Sequence, residues 1–248
     1  MLRNTGQTRL MSSPNCRNCD TPLPAQAKFC PACGQSIKAV TRPWREVLGE
    51  LVTELFDFDG RMLVSLRLLL TRPGFLSFEY INGRRASYTS PIRMYLVISL
   101  VFFFVLPLIL PGPTVSSPTR EIAVDKYSQA MFLLLPVFAL VLKVFFRQSY
   151  YLAHLVFILH LFSAMFIAFA IMLSMEAAAD RYMAVMLGQF VLLFYVVTYF
   201  VIALRVVYQQ SWVQSMLKFL ALIIIFLAII SVTIVDSDFW SRFRTTIF

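Results

Sequence analysis

Charged residues are scarce in this sequence. Only 14% of the 248 residues are Asp, Glu, Lys or Arg, whereas 59% are apolar, with 24 Phe in the chain. Soluble domains are about a quarter charged and about half apolar. The shortage of charge therefore excludes ordinary soluble domains and predicts an all-α polytopic membrane protein. Much of the charge that does occur lies before Pro91, which divides the chain into a polar N-terminal part and a lipid-soluble remainder.

Cysteine is absent after Cys33, and the first fifteen residues lack an apolar run. A secretory signal peptide needs such a run, so the sequence predicts that the N-terminus stays in the cytosol. Residues 1–15 are polar and irregular, and we predict a disordered tail there. A cytosolic N-terminus also disfavours disulfides, which form in oxidising compartments.

Groups that carry catalysis are also missing. No Asp or Glu lies inside a predicted membrane span, and there is no Ser/His/Asp set, phosphate loop or intramembrane carboxylate pair. These absences disfavour an enzyme and a proton-coupled pump. The net charge of +9 does not indicate nucleic acid as a partner. In a membrane protein, excess Lys and Arg reflects the positive-inside bias and attraction to anionic lipid.

The four cysteines form a C-x2-C, ten-residue, C-x2-C pattern: Cys16, Cys19, Cys30 and Cys33. Two such turns can enclose a tetrahedral metal ion from opposite sides. Asp20 and Gly34 follow the second cysteine of each turn, where a residue tolerant of positive φ helps the chain fold back. We predict a zinc ribbon over residues 16–35. Iron also accepts four sulfurs, and two disulfides or a redox pair are the alternatives to a metal.

Five hydrophobic segments follow at residues 92–110, 127–146, 150–175, 182–204 and 212–235. Each approaches the roughly 20 residues that cross a bilayer, which predicts a transmembrane domain over residues 92–236. Residues 43–91 carry two short amphipathic stripes that lie in the membrane interface or pack as a collar, and the sequence favours the interface. The distribution of Lys and Arg places the N-terminus inside and the tail at residues 237–248 outside.

Two runs carry a resemblance to a known family: FCPACGQ, which ends at Gln35, and RPGFLSFEYINGRRASYTSP, which ends at Pro91. They resemble the patterns FCxxCGQ and RPG…YI.G.R..Y..P of an uncharacterised bacterial membrane family with an N-terminal zinc ribbon and several spans. The resemblance covers nearly the whole chain. It implies this layout in a bacterial inner membrane, but it implies no activity.

Six polar residues near or within the predicted spans are candidates for binding. Arg84, Arg85 and Arg93 flank the first span, where they would either bind lipid headgroups or phosphate, or simply anchor the helix. His154, His160 and Gln189 lie within spans, where ionisable and polar groups mark functional sites or make hydrogen bonds between helices. For His160 we expect a partner on the fourth span.

Three functions are consistent with these features. The first is a binding, assembly or regulatory component of the membrane whose ribbon contacts a protein partner. The second is a subunit of a small-molecule or lipid transporter. The third is an enzyme that acts on lipid or phosphate groups at the cytosolic interface. A site made only of thiolates has no open coordination position, which favours the first function.

Overall fold

The computed structural model describes residues 15–24, 27–37, 60–109, 134–178 and 183–235. Seven helices lie in these ranges: α1 Gly60–Thr71, α2 Phe75–Ile81, α3 Pro91–Ile109, α4 Leu134–Phe145, α5 Tyr151–Ala178, α6 Met183–Tyr208 and α7 Trp212–Val235. Within the same ranges there is no strand, only two isolated antiparallel bridges next to the cysteines. The prediction of a helical protein with an N-terminal cysteine cluster is confirmed for this part of the chain.

Apolar helices occur at all five positions where the sequence predicts a span. Two of them, Tyr151–Met175 and Val185–Tyr208, are long and apolar enough to cross a membrane. The other three have shorter apolar stretches, at Pro91–Leu106, Leu134–Phe145 and Trp212–Ala228. Four predicted regions lie wholly or largely outside the described residues: the tail at 1–15, the amphipathic stripe at 43–59, the start of the second span at 127–133, and the tail at 237–248.

Aromatic rings join the apolar helices to one another. Phe166 of α5 is the centre of the contact with α3, because its ring centroid lies 5.9 Å from that of Tyr95, 4.9 Å from that of Phe102 and 5.7 Å from that of Phe103. The tilted and edge-on arrangements are those that aromatic quadrupoles favour. We call α3–α7 the apolar bundle.

Two lysines complete the C-terminal end of α4. The Lys143 ammonium donates to the carbonyls of Arg147 at 3.0 Å and Ser149 at 2.6 Å. From α7, Lys218 donates to the carbonyl of Phe145 at 3.4 Å. The carbonyl of Phe145 is the last of α4 and has no partner within the helix, so Lys218 supplies a donor for it, while Lys143 binds carbonyls of the turn that follows the helix.

Helices α1 and α2 pack against α5 and α6. The last turn of α1 ends in carbonyls without helical partners, and two tyrosines of α6 bind them. Tyr199 donates its hydroxyl to the carbonyl of Leu69 at 2.8 Å, and Tyr195 donates to that of Leu70. The end of α1 is therefore joined to α6 by hydrogen bonds.

We expect Tyr199→Phe to lower the free energy of unfolding by about 1 kcal/mol, because it leaves a buried carbonyl of α1 without a donor. For a chain of this size that change lowers the melting temperature by about 2–4 °C. Thermal unfolding of the detergent-solubilised chain measures it. Tyr150→Phe is the matched control, since Tyr150 is 85% exposed. Equal melting temperatures for Tyr199→Phe and the control would contradict the role of this hydrogen bond.

Candidate metal centre and junction loop

Each pair of cysteines lies in a tight turn. The N–H of the first cysteine in each pair donates to the carbonyl of the residue five positions later. The carbonyl of the same cysteine accepts from the N–H of the residue four positions later. All four bonds are 2.9 Å long: Cys16 to Thr21, Asp20 to Cys16, Cys30 to Gln35, and Gly34 to Cys30. Asp20 has φ 57° and Gly34 has φ 71°, so the predicted positive φ is confirmed in both turns.

The two turns face each other and bring the four sulfurs together. All four Sγ atoms lie within 4.8 Å of one another. The Sγ atoms of Cys16 and Cys33 are 3.7 Å apart, and those of Cys19 and Cys30 are 3.5 Å apart. A tetrahedral zinc ion with Zn–S bonds of about 2.3 Å separates its sulfurs by about 3.8 Å. A disulfide would need about 2.05 Å. The cluster therefore has the spacing to hold a metal ion such as zinc.

The electrostatics of the cluster also suit a cation. The Thr21 hydroxyl lies 3.2 Å from the sulfur of Cys19 and lowers the pKa of that thiol to about 6. Desolvation, together with hydrogen bonds to the neighbouring cysteines, raises the pKa of Cys33 to about 12. Neighbouring thiolates repel one another, so the four sulfurs cannot all ionise readily by themselves. A divalent ion supplies the positive charge that allows it.

The two cysteine turns rest on the segment that joins α2 to α3. We call residues 15–37 the cysteine knuckle and residues 82–90 the junction loop. The side-chain amide of Gln35 donates to the carbonyl of Gly83 at 2.8 Å. Its oxygen accepts from the backbone N–H groups of Arg85 at 3.0 Å and Ala86 at 3.2 Å. One side chain thus satisfies three backbone groups of the loop. From the sequence we predicted no role for Gln35, although it ends the FCPACGQ run.

Two further contacts complete the interface between the knuckle and the loop. The side-chain amide of Asn18 donates to the hydroxyl of Ser87 at 3.3 Å. Gly83 has φ 89°, and a Cβ at this position would lie 3.0 Å from the Cδ of Arg17. The backbone of the loop therefore needs glycine at this point, both for its conformation and for the close approach of Arg17.

The three candidate arginines lie in or next to the junction loop. Arg84 forms an ion pair with Glu79, which is 8% exposed, and this hydrogen bonding raises the pKa of Arg84. The guanidinium of Arg85 lies 4.8 Å from the ring centroid of Tyr80 and donates to the Tyr80 carbonyl at 3.2 Å. Arg93 is 5% exposed at the start of α3. Arg84 and Arg85 are therefore both held by α2, and their binding to lipid headgroups or phosphate stays a hypothesis.

The three polar candidates within the apolar helices do not form one site. Nδ1 of His160 lies 3.0 Å from the Ser77 hydroxyl, and both residues are buried. Nδ1 of His154 lies 2.7 Å from the Tyr208 hydroxyl. Gln189 is half-buried on α6. The partner of His160 Nδ1 is on α2 and not on the fourth predicted span, because α2 packs against α5 at this point.

We expect Ser77→Ala and His160→Leu to be coupled, since each removes one end of the same buried hydrogen bond. Their combined destabilisation should differ from the sum of the single effects by about 1 kcal/mol. Unfolding of the two single variants and the double variant measures the coupling. Ser174→Ala serves as the control partner, because Ser174 is exposed and binds the carbonyl of Ala170. Strict additivity of Ser77→Ala and His160→Leu would contradict the contact.

Comparison with known proteins identifies a family that is similar to part of the chain. Residues 59–103 match a family described as a protein of unknown function, DUF3667. The match covers α1, α2, the junction loop and much of α3, and it does not include the cysteines. No curated protein and no solved structure matches the chain. The family match and the cysteine cluster together fit an uncharacterised family with a possible zinc site.

Proposed function

We propose that this chain is an integral protein of a bacterial inner membrane whose cysteine knuckle is a cytosolic zinc ribbon. In this proposal it acts as a binding, assembly or regulatory component. The observation that carries the proposal is the group of four sulfurs within 4.8 Å of one another, supported on the loop that leads into the apolar bundle. A tetrahedral site of four thiolates has no open position for a substrate, so its role is structural.

The membrane part of the proposal is that α3–α7 each cross the bilayer. Helix α4 is described from Leu134 to Phe145, and the sequence predicts that its span begins at residue 127. The helical backbone runs for 19 residues in α3, 28 in α5, 26 in α6 and 24 in α7. At 1.5 Å per residue, helices of this length approach or exceed the roughly 30 Å hydrocarbon core. Arg84 and Arg85 of the junction loop would then lie on the cytosolic side, and five spans would place the C-terminus outside.

A protein partner would bind the outer surface of the knuckle. Phe29 is 58% exposed there, next to the buried Cys30. An exposed aromatic side chain is a common anchor of protein interfaces, and the closed metal site would hold it rigidly. The zinc ribbon would therefore present a surface for a partner and need no reactive group of its own. Zinc is preferred to iron because zinc is the usual cytosolic occupant of such ribbons.

Labelling of thiols in cells tests this proposal. We expect a membrane-impermeant maleimide to leave the four cysteines unmodified in intact cells. After permeabilisation, modification should become rapid only when a zinc chelator is added, since a bound metal protects thiolates. Labelling of intact cells would contradict the orientation. Rapid labelling of permeabilised cells without chelator would contradict the metal site.

A cavity in the apolar bundle favours a second candidate function, the binding or transfer of a lipid chain. The cavity is about 460 Å³ in volume and is lined almost wholly by apolar side chains of α4–α7, among them Phe138, Ala168 and Phe226. An apolar chain that filled this cavity would bury its apolar walls, and lipid is the abundant apolar molecule at this depth.

Filling the cavity tests this second candidate. Ala168→Leu would reduce the volume, and mass spectrometry of the purified protein should then find less lipid retained than in the wild type. Val191→Leu is the matched control, because Val191 is 68% exposed on α6 and does not line the cavity. Equal lipid retention in both variants and the wild type would reject the lipid site.

A further inference from the structure

We propose that metal occupancy of the cysteine knuckle controls the conformation of the junction loop through Gln35. This inference rests on the proposed zinc ribbon and adds a regulatory link to it. The knuckle would act as a latch that holds the junction loop in one conformation when the metal is bound, and releases it when the metal is lost.

Gln35 contributes its backbone to the second cysteine turn, and its side chain binds the junction loop. It follows Cys33 by two residues, and its backbone carbonyl accepts the 2.9 Å hydrogen bond from Cys30 that closes the second cysteine turn. Its side chain makes the three bonds to Gly83, Arg85 and Ala86. The turn that positions two metal ligands therefore also positions the side chain that fixes the loop.

Loss of the metal would remove this support. A ribbon of this size has too small a core to fold by itself, so its turns form only around the ion. Without the turn, Gln35 has no fixed position relative to the loop. The N–H groups of Arg85 and Ala86 then lose their common acceptor, and the carbonyl of Gly83 loses its donor.

The change would be confined to the middle of the loop. The N–H of Thr89 donates to the buried hydroxyl of Ser65 on α1 at 2.9 Å. This contact does not involve the knuckle, and it fixes the end of the loop next to α3. Arg84 and Arg85 also keep their contacts with Glu79 and Tyr80 of α2, which do not involve the knuckle. Release of Gln35 would therefore loosen the backbone around the Arg85–Ala86 bond while the apolar bundle stays folded.

Limited trypsin digestion of the full-length, zinc-loaded protein in detergent tests the latch. Trypsin cleaves after Arg84 and Arg85, and the second of these bonds lies between the two N–H groups that Gln35 binds. Chelation of zinc should speed cleavage at this site about tenfold, because the bonds that oppose local opening are lost. Gln35→Ala should speed cleavage to a similar extent while zinc content stays at the wild-type level, since Gln35 is not a ligand. Gln148→Ala is the control, because this exposed amide lies far along the chain, and it should leave the cleavage rate unchanged.

The outcomes distinguish failure of the proposed latch from failure of the proposed zinc ribbon. A purified protein that contains no metal would overturn the zinc ribbon, and the latch with it. A zinc-loaded protein whose cleavage rate is unaffected by chelation would overturn the latch alone. Faster cleavage on chelation, with wild-type cleavage in Gln35→Ala, would overturn the role of Gln35. Gly83→Ala provides a second variant, since it disturbs the same interface from the loop and should also speed cleavage.

Discussion

Replacing Cys30 and Cys33 together with Ser is expected to abolish metal binding and unfold residues 16–35 while the apolar bundle remains folded. Two of four ligands are lost, and neutral hydroxyls do not replace thiolates at a soft tetrahedral site. The binding free energy of structural zinc, on the order of 10 kcal/mol, is also the folding free energy of a small ribbon. We therefore expect the knuckle to lose its structure completely. Hydrogen exchange of the detergent-solubilised chain measures this for both parts of the molecule.

The matched control for this variant is Ala32→Ser. Ala32 is exposed and lies between the same two cysteines, so the change adds a hydroxyl to the turn without removing a ligand. Amide protection in residues 16–35 should persist in this control and disappear in the cysteine variant. Protection that survives in the cysteine variant would contradict a metal-dependent fold. Loss of protection throughout α3–α7 would contradict the independence of the bundle.

The second large effect is expected for Gly74→Ala. Gly74 precedes α2 with φ 77°, a conformation that alanine adopts only with strain. A Cβ at this position would lie 2.8 Å from the carbonyl oxygen of Ala203 and 2.9 Å from its Cα, and both are backbone atoms of α6. Backbone strain and steric overlap with α6 both destabilise this variant, so we expect Gly74→Ala to lower the free energy of unfolding by about 3 kcal/mol. That corresponds to a decrease of about 6–12 °C in melting temperature.

Gly60→Ala is the control for Gly74→Ala. A Cβ at Gly60, the first residue of α1, would meet nothing within 4 Å. The same chemical change should therefore leave the melting temperature unchanged or slightly raised, because alanine favours helix. If Gly74→Ala melts at the same temperature as Gly60→Ala, then α2 does not approach α6 as closely as described.

Much of the local structure follows from local sequence signals. Apolar runs predicted the positions of the five apolar helices. The spacing of the cysteines predicted their cluster, and the residue types of Asp20 and Gly34 predicted positive φ. Each of these features depends on a short segment whose own chemistry limits its conformations.

The contacts between distant segments could not be predicted in this way. Gln35 binds a loop about fifty residues away, Ser77 binds His160 of α5, and Tyr199 binds the end of α1. Hydropathy and periodicity describe one helix at a time and do not specify which helices meet. The partner expected for His160 was therefore sought on the fourth span, whereas α2 supplies it.

Above all, we propose that the four cysteines hold one metal ion in a protein of the membrane. The most direct test is elemental analysis of the purified, detergent-solubilised full-length chain. We expect one zinc per chain in the wild type and none in the variant that combines Cys30→Ser with Cys33→Ser. A wild-type protein without metal, with its cysteines joined in disulfides, would contradict it.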